Sequence, residues 1–295
     1  FVQNLLEIPV PVPSLKTQEK IVAKWEAAQA SIQAAEARAA QIDAEVQVDF
    51  LSDLGLKKPK RATRSKCFAV NWETFERWSV SFNQSVMTML DLSRCLYPIV
   101  ELGSILDMVQ YGTSEKANTT GHGTPVLRMN NIKDGYLDYS SIKHVVLSEK
   151  VLQSLRLVDG DILFNRTNSK ELVGKCAVFK GRDEFVYASY IIRARPTPEK
   201  AIPDFVAFCI NSVVGRQQID ALSRQIIGQA NINSEELRSL RIPLPPIGVQ
   251  NEIMSRVKKA RDKFVKNGDD VRRLRSRVHD EVEEMIISSV LVGAY

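Results

Sequence analysis

Val10-Pro11-Val12-Pro13 is followed, five residues after its last proline, by Gln18, and Ile242-Pro243-Leu244-Pro245 is followed at the same distance by Gln250. The two stretches are offset by 232 residues at every position, and the match extends to Leu5 with Leu237, Ile8 with Leu240, Ile21 with Ile253 and Lys24 with Arg256. A register shared over about twenty positions marks an internal repeat. An apolar strand interrupted by prolines lacks ladder donors, so each copy reads as an edge or exit strand. The prolines stop the strand and a polar stretch then opens a long helix. Two unrelated strand-to-helix turns, the alternative, would leave the common register without a cause.

The helix of the first copy has apolar residues at Ile21, Trp25, Ala28, Ile32, Ala35, Ala39, Ile42 and Val46. Steps alternating between four and three make this a heptad seam. No Gly or Pro interrupts residues 14–52, so a helix is predicted over 15–52, about 50 Å long. In the second copy Ile253, Val257, Ala260, Phe264, Val271, Leu274 and Val278 keep the register, and a helix is predicted over 246–291. Asn267 is the polar seam position, where an asparagine fixes register, and Gly268 beside it offers a bend instead. Small alanines on the first seam leave room for Phe264, Leu274 and Met285 on the second, which suits an antiparallel coiled coil. The other reading packs each helix on the globular part, which would require a groove longer than a compact domain offers.

Residues 1–14 then read as the tail of a preceding repeat, 53–95 as a basic hinge and lead-in, and 96–245 as a folded domain. The hinge contains Lys57, Lys58, Lys60, Arg61, Arg64 and Lys66 with no acidic residue among them. Like charges do not pack together, so this is a mobile loop first and a clamp for phosphates second. Phe68, Trp72, Phe75 and Trp78 follow as anchors for the start of the core. Within 96–245, short β-rich runs alternate with turns: 126–129 before the turn at 130–135, 162–164 after Asp159-Gly160-Asp161, then 174–179 and 188–195. Residues 205–230 read as helix by their period. The fold class expected is α/β (α+β) with a mixed twisted sheet, joined to two long α-helices forming an antiparallel coiled coil.

With 295 residues, 44% of them hydrophobic, the chain can bury one good core and still build extended elements. Its net charge of +5 and pI near 9.0 are compatible with a polyanionic partner. No apolar run approaches the roughly 20 residues that span a bilayer. Cys67, Cys95, Cys176 and Cys209 are far apart and read as reduced thiols of a cytoplasmic protein. Residue 1 is Phe, which reads as a trimmed start or a fragment boundary. Glycine loops for nucleotide phosphates, a nucleophile elbow and a zinc helix are all missing as motifs. His122, His144 and His279 are dispersed, and Asp159 and Asp161 read as turn formers.

Several runs together resemble the target recognition domain of type I restriction–modification specificity subunits. These are Arg128-Met129-Asn130-Asn131-Ile132 with Asp134-Gly135, residues 160–169 with Leu172-Val173-Gly174-Lys175, and Ala188-Ser189-Tyr190-Ile191-Ile192-Arg193. The ending is Gly228-Gln229-Ala230-Asn231-Ile232-Asn233, then Leu240-Arg241-Ile242-Pro243-Leu244-Pro245-Pro246 and Gln250. The resemblance covers nearly the whole chain, arranged as the later half of such a subunit, and the body of a first recognition domain is missing. It implies a non-catalytic subunit that reads one half of a bipartite site in double-stranded DNA. Methyltransferase subunits using S-adenosylmethionine and an ATP- and Mg-dependent restriction subunit would be its partners and carry the chemistry. The helices would set the distance between half-sites, or pair two copies as a homodimer.

On that reading, base edges are met by Asn, Gln, Arg and Lys on loops of one face. The candidates are Tyr111, Thr113, Lys116, Arg128, Asn130, Asn131, Asn165, Arg166, Asn168, Lys175, Arg193, Gln229 and Asn231. Each has a plainer role open to it: Asn130 and Asn131 as turn formers, Arg193 paired with a carboxylate, Asn231 as a cap. Two other functions stand beside this one. A coiled-coil scaffold with a protein- or RNA-binding head predicts no selective duplex binding. A nuclease or methyltransferase with an unfamiliar site predicts activity from the chain alone.

Overall fold

Residues that keep an apolar period yet meet a left-handed glycine show where the first long helix ends. A computed structural model of the chain describes residues 12–57, 67–70, 72, 78, 80, 83, 89–133, 135–169, 172–181, 183–226 and 229–292. For 39, 168, 224–226, 229, 263–275 and 289–292 it describes the backbone only. Helix α1 (Leu15–Asp53) stops at Gly55, whose φ of +73° suits a residue without Cβ. Gly55 N–H donates to Ser52 O and Leu56 N–H to Leu51 O, a Schellman closure with Leu51 and Leu56 both buried.

Two compact units divide the chain, residues 47–256 and residues 1–46 with 257–295. In the larger unit, strand β1 (Ile99–Glu101) precedes β2 (Leu106–Tyr111), β3 (Thr124–Leu127), β4 (Ile132–Lys133), β5 (Tyr136–Leu137) and β6 (Lys143–Val145). Helix α2 (Glu149–Leu155) leads to β7 (Ile162–Asn165), β8 (Thr167–Asn168), β9 (Cys176–Val178), β10 (Val186–Tyr187) and β11 (Ile191–Pro196). Then come α3 (Pro203–Asn211), α4 (Val213–Leu222), β12 (Arg224–Ile226), β13 (Gln229–Asn231), α5 (Ser234–Arg238), β14 (Arg241–Pro243) and α6 (Ile247–Val292).

The strands pair in both senses, β10 with β3 parallel and β2, β7 and β9 antiparallel to their neighbours, but they form several small sheets and not one. The central sheet has the order β2-β11-β7-β9; beside it lie β10-β3-β6, β12-β13-β8, β4-β5 and β1-β14. Full burial of all four residues of β7 is why it reads as a continuous apolar run. The proline-bearing β14 pairs only with β1 among the described strands, as an exit strand should.

The expected helix over 205–230 is corrected. Ser212 breaks it by accepting Val214 N–H as an N-cap, and β12 and β13 form a hairpin where the period suggests helix. The last turns of α1 belong to this unit's core: Phe50 lies 4.7 Å edge-on to Phe208 and 6.1 Å from Phe205, with Leu51 and Leu54 buried beside it. At the other end, Gln250 is wholly buried. Its Nε2 donates to Pro245 O and Lys200 O, and its Oε1 accepts Ile202 N–H.

The smaller unit holds most of α1 and α6. Ala28, Ile32, Val46 and Val278 of the expected seams are buried, Trp25 is half-exposed, and Lys24 pairs with Glu281 at 2.5 Å. Gln18 Nε2 donates to Pro13 O at 2.7 Å. Among the described residues no helix is long and apolar enough to cross a membrane.

Candidate functional site

The end of β2, the joint between β7 and β8, the turn at 188–190 and β13 meet at one place in the larger unit. Close backbone approach begins it: a Cβ on Gly112 would run into the Tyr187 and Ala188 carbonyl oxygens. That approach lets Thr113 N–H donate to Tyr187 O and Ser189 N–H to Thr113 O. Arg166 N–H donates to Tyr190 O, and Arg166 O accepts Ile232 N–H, so three loops are stitched by backbone bonds. Thr167 Oγ1 donates to Asn231 Oδ1 at 2.8 Å across the β8–β13 pair.

On this framework sit two aromatic rings and a cation. Tyr111 is 39% exposed and its hydroxyl accepts Ser234 N–H at 2.8 Å, which fixes the ring. The Arg166 guanidinium lies 4.9 Å from that ring's centroid, a cation–π stack. Tyr190, 53% exposed, rises from the adjoining turn. Of the expected residues, Tyr111, Arg166 and Asn231 are therefore brought together, with Thr113 buried beneath them and Lys116 exposed on the loop that follows. Asn168 and Gln229 contribute backbone to the same strands. Tyr190 is absent from the sequence-derived candidates; the signal that points to it is an aromatic residue beside a strand start, flanked by Ser189.

Four candidates, Thr113, Asn131, Asn165 and Arg193, are buried and bonded within the protein. Arg193 is 2% exposed on β11, which lies between β2 and β7 in the central sheet. Its guanidinium donates to Arg156 O, Ser154 O and Gln110 Oε1 and lies 3.8 Å from Asp161. Asp161, wholly buried, takes Arg195 in a bidentate pair at 2.7 and 3.0 Å while accepting Val158 N–H at 2.9 Å, so it does more than form a turn. The hydrogen bond from Arg195 to this carboxylate pushes the guanidinium pKa further up. Asn131 is buried: its Oδ1 accepts Arg128 N–H, and its Nδ2 donates to Asp138 O and Ser141 O, closing the 128–141 loop. Asn165 is buried with Nδ2 on Leu172 O, and Thr113 Oγ1 accepts Glu115 N–H.

Arg128 is half-buried, with Nη2 3.4 Å from Ser141 O, and Asn130 is exposed at the tip of the same turn. This turn adjoins the first group, since Ala188 N–H donates to Leu127 O. Lys175 is partly covered. Lys57 is exposed just beyond α1, whereas Lys58, Lys60, Arg61, Arg64 and Lys66 lie outside the described residues. Among the described residues no cluster of three or more His, Cys, Asp or Glu is disposed to hold a metal. Cys176 and Cys209 are buried thiols outside any disulfide, and burial pushes the Cys209 pKa well up.

Comparison with known proteins bears on these same residues. The family model for the type I restriction modification DNA specificity domain matches residues 97–267. The specificity subunit of the type I restriction enzyme EcoKI from Escherichia coli strain K12 is 31% identical over 254 residues, which cover 85% of this chain and 50% of that one. The StySPI specificity subunit of Salmonella potsdam is 24% identical over 254 residues, with the same coverage. The chain thus spans about half the length of these curated relatives. In fold it is similar to the type I restriction-modification S subunit from M. genitalium, with a TM-score of 0.50 at 9% identity, over 92% of this chain and 61% of that one.

Proposed function

The chain belongs to the type I restriction–modification DNA specificity family, and on that premise we propose that it reads one half of a bipartite duplex target and positions partner subunits there. The observation that carries this reading is the family match over residues 97–267, the stretch that builds nearly all of the sheets and the loop cluster. Methyltransferase and restriction subunits would supply the chemistry, with S-adenosylmethionine, ATP and Mg bound on them.

Recognition would rest on two kinds of contact. Tyr111, Arg166, Tyr190 and Asn231, together with Lys116, Asn130 and Arg128 on the adjoining loops, offer donors and rings to a groove. The basic run from Lys57 to Lys66 supplies sequence-blind attraction to phosphates, which weakens steeply with salt. Asn131, Asn165 and Arg193 hold the loops that carry the readers.

The two long helices form an antiparallel coiled coil in this proposal and act as the spacer. Support comes from ion pairs near both ends, Lys24 with Glu281 and Asp53 with Arg256, and from burial along the heptad positions.

Selection from a randomised duplex library by the full chain, alone and with the methyltransferase subunit of its system, tests the proposal. A short enriched motif, split by a fixed gap when two recognition units are present, is expected. Salt-sensitive binding with no enriched motif would reduce the chain to a basic scaffold, and absence of binding would favour a protein-binding head.

A further inference from the structure

Resting on the reading that this domain recognises duplex DNA, we infer that Arg166 reads a guanine base, held as a fixed fork by the ring of Tyr111. Arg166 is pinned on both sides of its backbone, by Tyr190 O and by Ile232 N–H. Its guanidinium lies over the Tyr111 ring, 4.9 Å from the centroid, and that ring is itself tied through its hydroxyl to Ser234 N–H. The position of the fork is thereby set before any ligand arrives.

Among the described residues, the donors of this fork have no acceptor. Among the described residues, Arg166 has neither a side-chain hydrogen bond nor an ion pair, and its Nε is buried without a partner. Neighbouring arginines differ: Arg193 is taken up by carbonyls and Gln110, Arg195 by Asp161, and Arg128 by Ser141 O. A half-buried cation with unmet donors is costly unless a ligand completes it. Because Nε is covered, the two Nη groups form the accessible fork.

Two parallel N–H donors call for two adjacent acceptors. In the major groove guanine offers O6 and N7, whereas adenine sets a donor beside N7 and so repels one arm. A phosphate also has two oxygens, but phosphate contacts are made well by long exposed side chains, such as the basic run that begins at Lys57. Arg166 is short of reach, oriented, and flanked by the exposed rings of Tyr111 and Tyr190. That setting suits a base edge.

The test repeats the library selection with the full chain carrying Arg166→Lys, Tyr111→Phe or Tyr111→Leu. Arg166→Lys keeps the charge and removes the fork. One guanine position should lose its preference by on the order of 10- to 100-fold while other positions persist. Tyr111→Phe retains the ring but loses its tie to Ser234 and should erode that preference only in part; Tyr111→Leu should erode it further. Uniform weakening across all sequences, with a shallower salt dependence, would make Arg166 a phosphate contact and overturn the inference. So would a motif in which no guanine responds to Arg166→Lys. A parent chain that enriches no sequence fails at the recognition reading itself, a result distinct from either. Arg166→Lys carries the decision even where Tyr111→Leu does not fold.

Discussion

The two copies of the repeat make the same turn in unlike surroundings. Gln18 donates to Pro13 O and Gln250 to Pro245 O, at 2.7 and 2.8 Å, so the turn forms from its own residues in both places. Gln250 then goes on to hold Lys200 O and Ile202 N–H, and Ile253 and Val257 are buried near it. In the first copy Leu15 is 77% exposed and Trp25 is 49% exposed, where their counterparts Ile247 and Val257 are half-buried and buried. At the far ends the contrast reverses. Phe50, Leu51 and Leu54 are buried, whereas the residues 232 positions later are Val282, Glu283 and Ile286, exposed or half-buried. A repeat preserves the local hydrogen bond; burial depends on which element packs against it.

The largest expected effect lies at Phe50. Phe50→Ala should destabilise the larger unit by about 3–5 kcal/mol in urea unfolding, against under about 1 kcal/mol for Val282→Ala. Cys209, next to Phe208 in sequence, gives a local readout: its buried thiol should resist alkylation in the parent chain and react sooner in Phe50→Ala. Since burial raises that pKa, its contribution to stability is whole below the unfolded thiol range. It falls as pH rises past about 8.5. Equal effects at Phe50 and Val282 would break the contrast between the helix ends.

Gln250→Ala comes next, leaving the Ile202 N–H and two carbonyls unmet in a buried place. A loss of about 2–4 kcal/mol is expected, while Gln18→Ala, with one bond at a half-buried site, should cost under about 1 kcal/mol. Comparable melting shifts would mean that Gln18 is as deeply engaged as Gln250. The smallest effect belongs to the pair Lys24 and Glu281, each about 40% exposed. A double-mutant cycle of Lys24→Ala and Glu281→Ala should give a coupling below about 1 kcal/mol that fades with salt, and zero coupling would count against helix pairing there.

Much of the candidate site is legible in the sequence. Residue type and motif point to Arg166 and Tyr111, which stack, and to Asn231, which is bonded to Thr167 beside Arg166. Arg193, Asn131 and Asn165 carry the same chemistry but are buried, because partners distant in sequence or the closing of a turn take up their polar groups. Tyr190 escapes a sequence reading because the turn beneath a ring, not the ring itself, decides that it stands exposed. The helical period over 205–230 misleads for a related reason: Ser212 caps a new helix, and the residues beyond 223 pair with β8 through a hairpin.

The repeat, the two long helices and the turn after each Pro-rich stretch follow from the sequence, since these depend on period, proline and residues within one turn. Only the tertiary structure settles that α1 ends inside the core, that Asp161 joins Arg195, and that Arg166 stacks on Tyr111. Those outcomes link residues that lie from about thirty to more than one hundred and fifty positions apart, and a local pattern holds no information on which distant group will arrive.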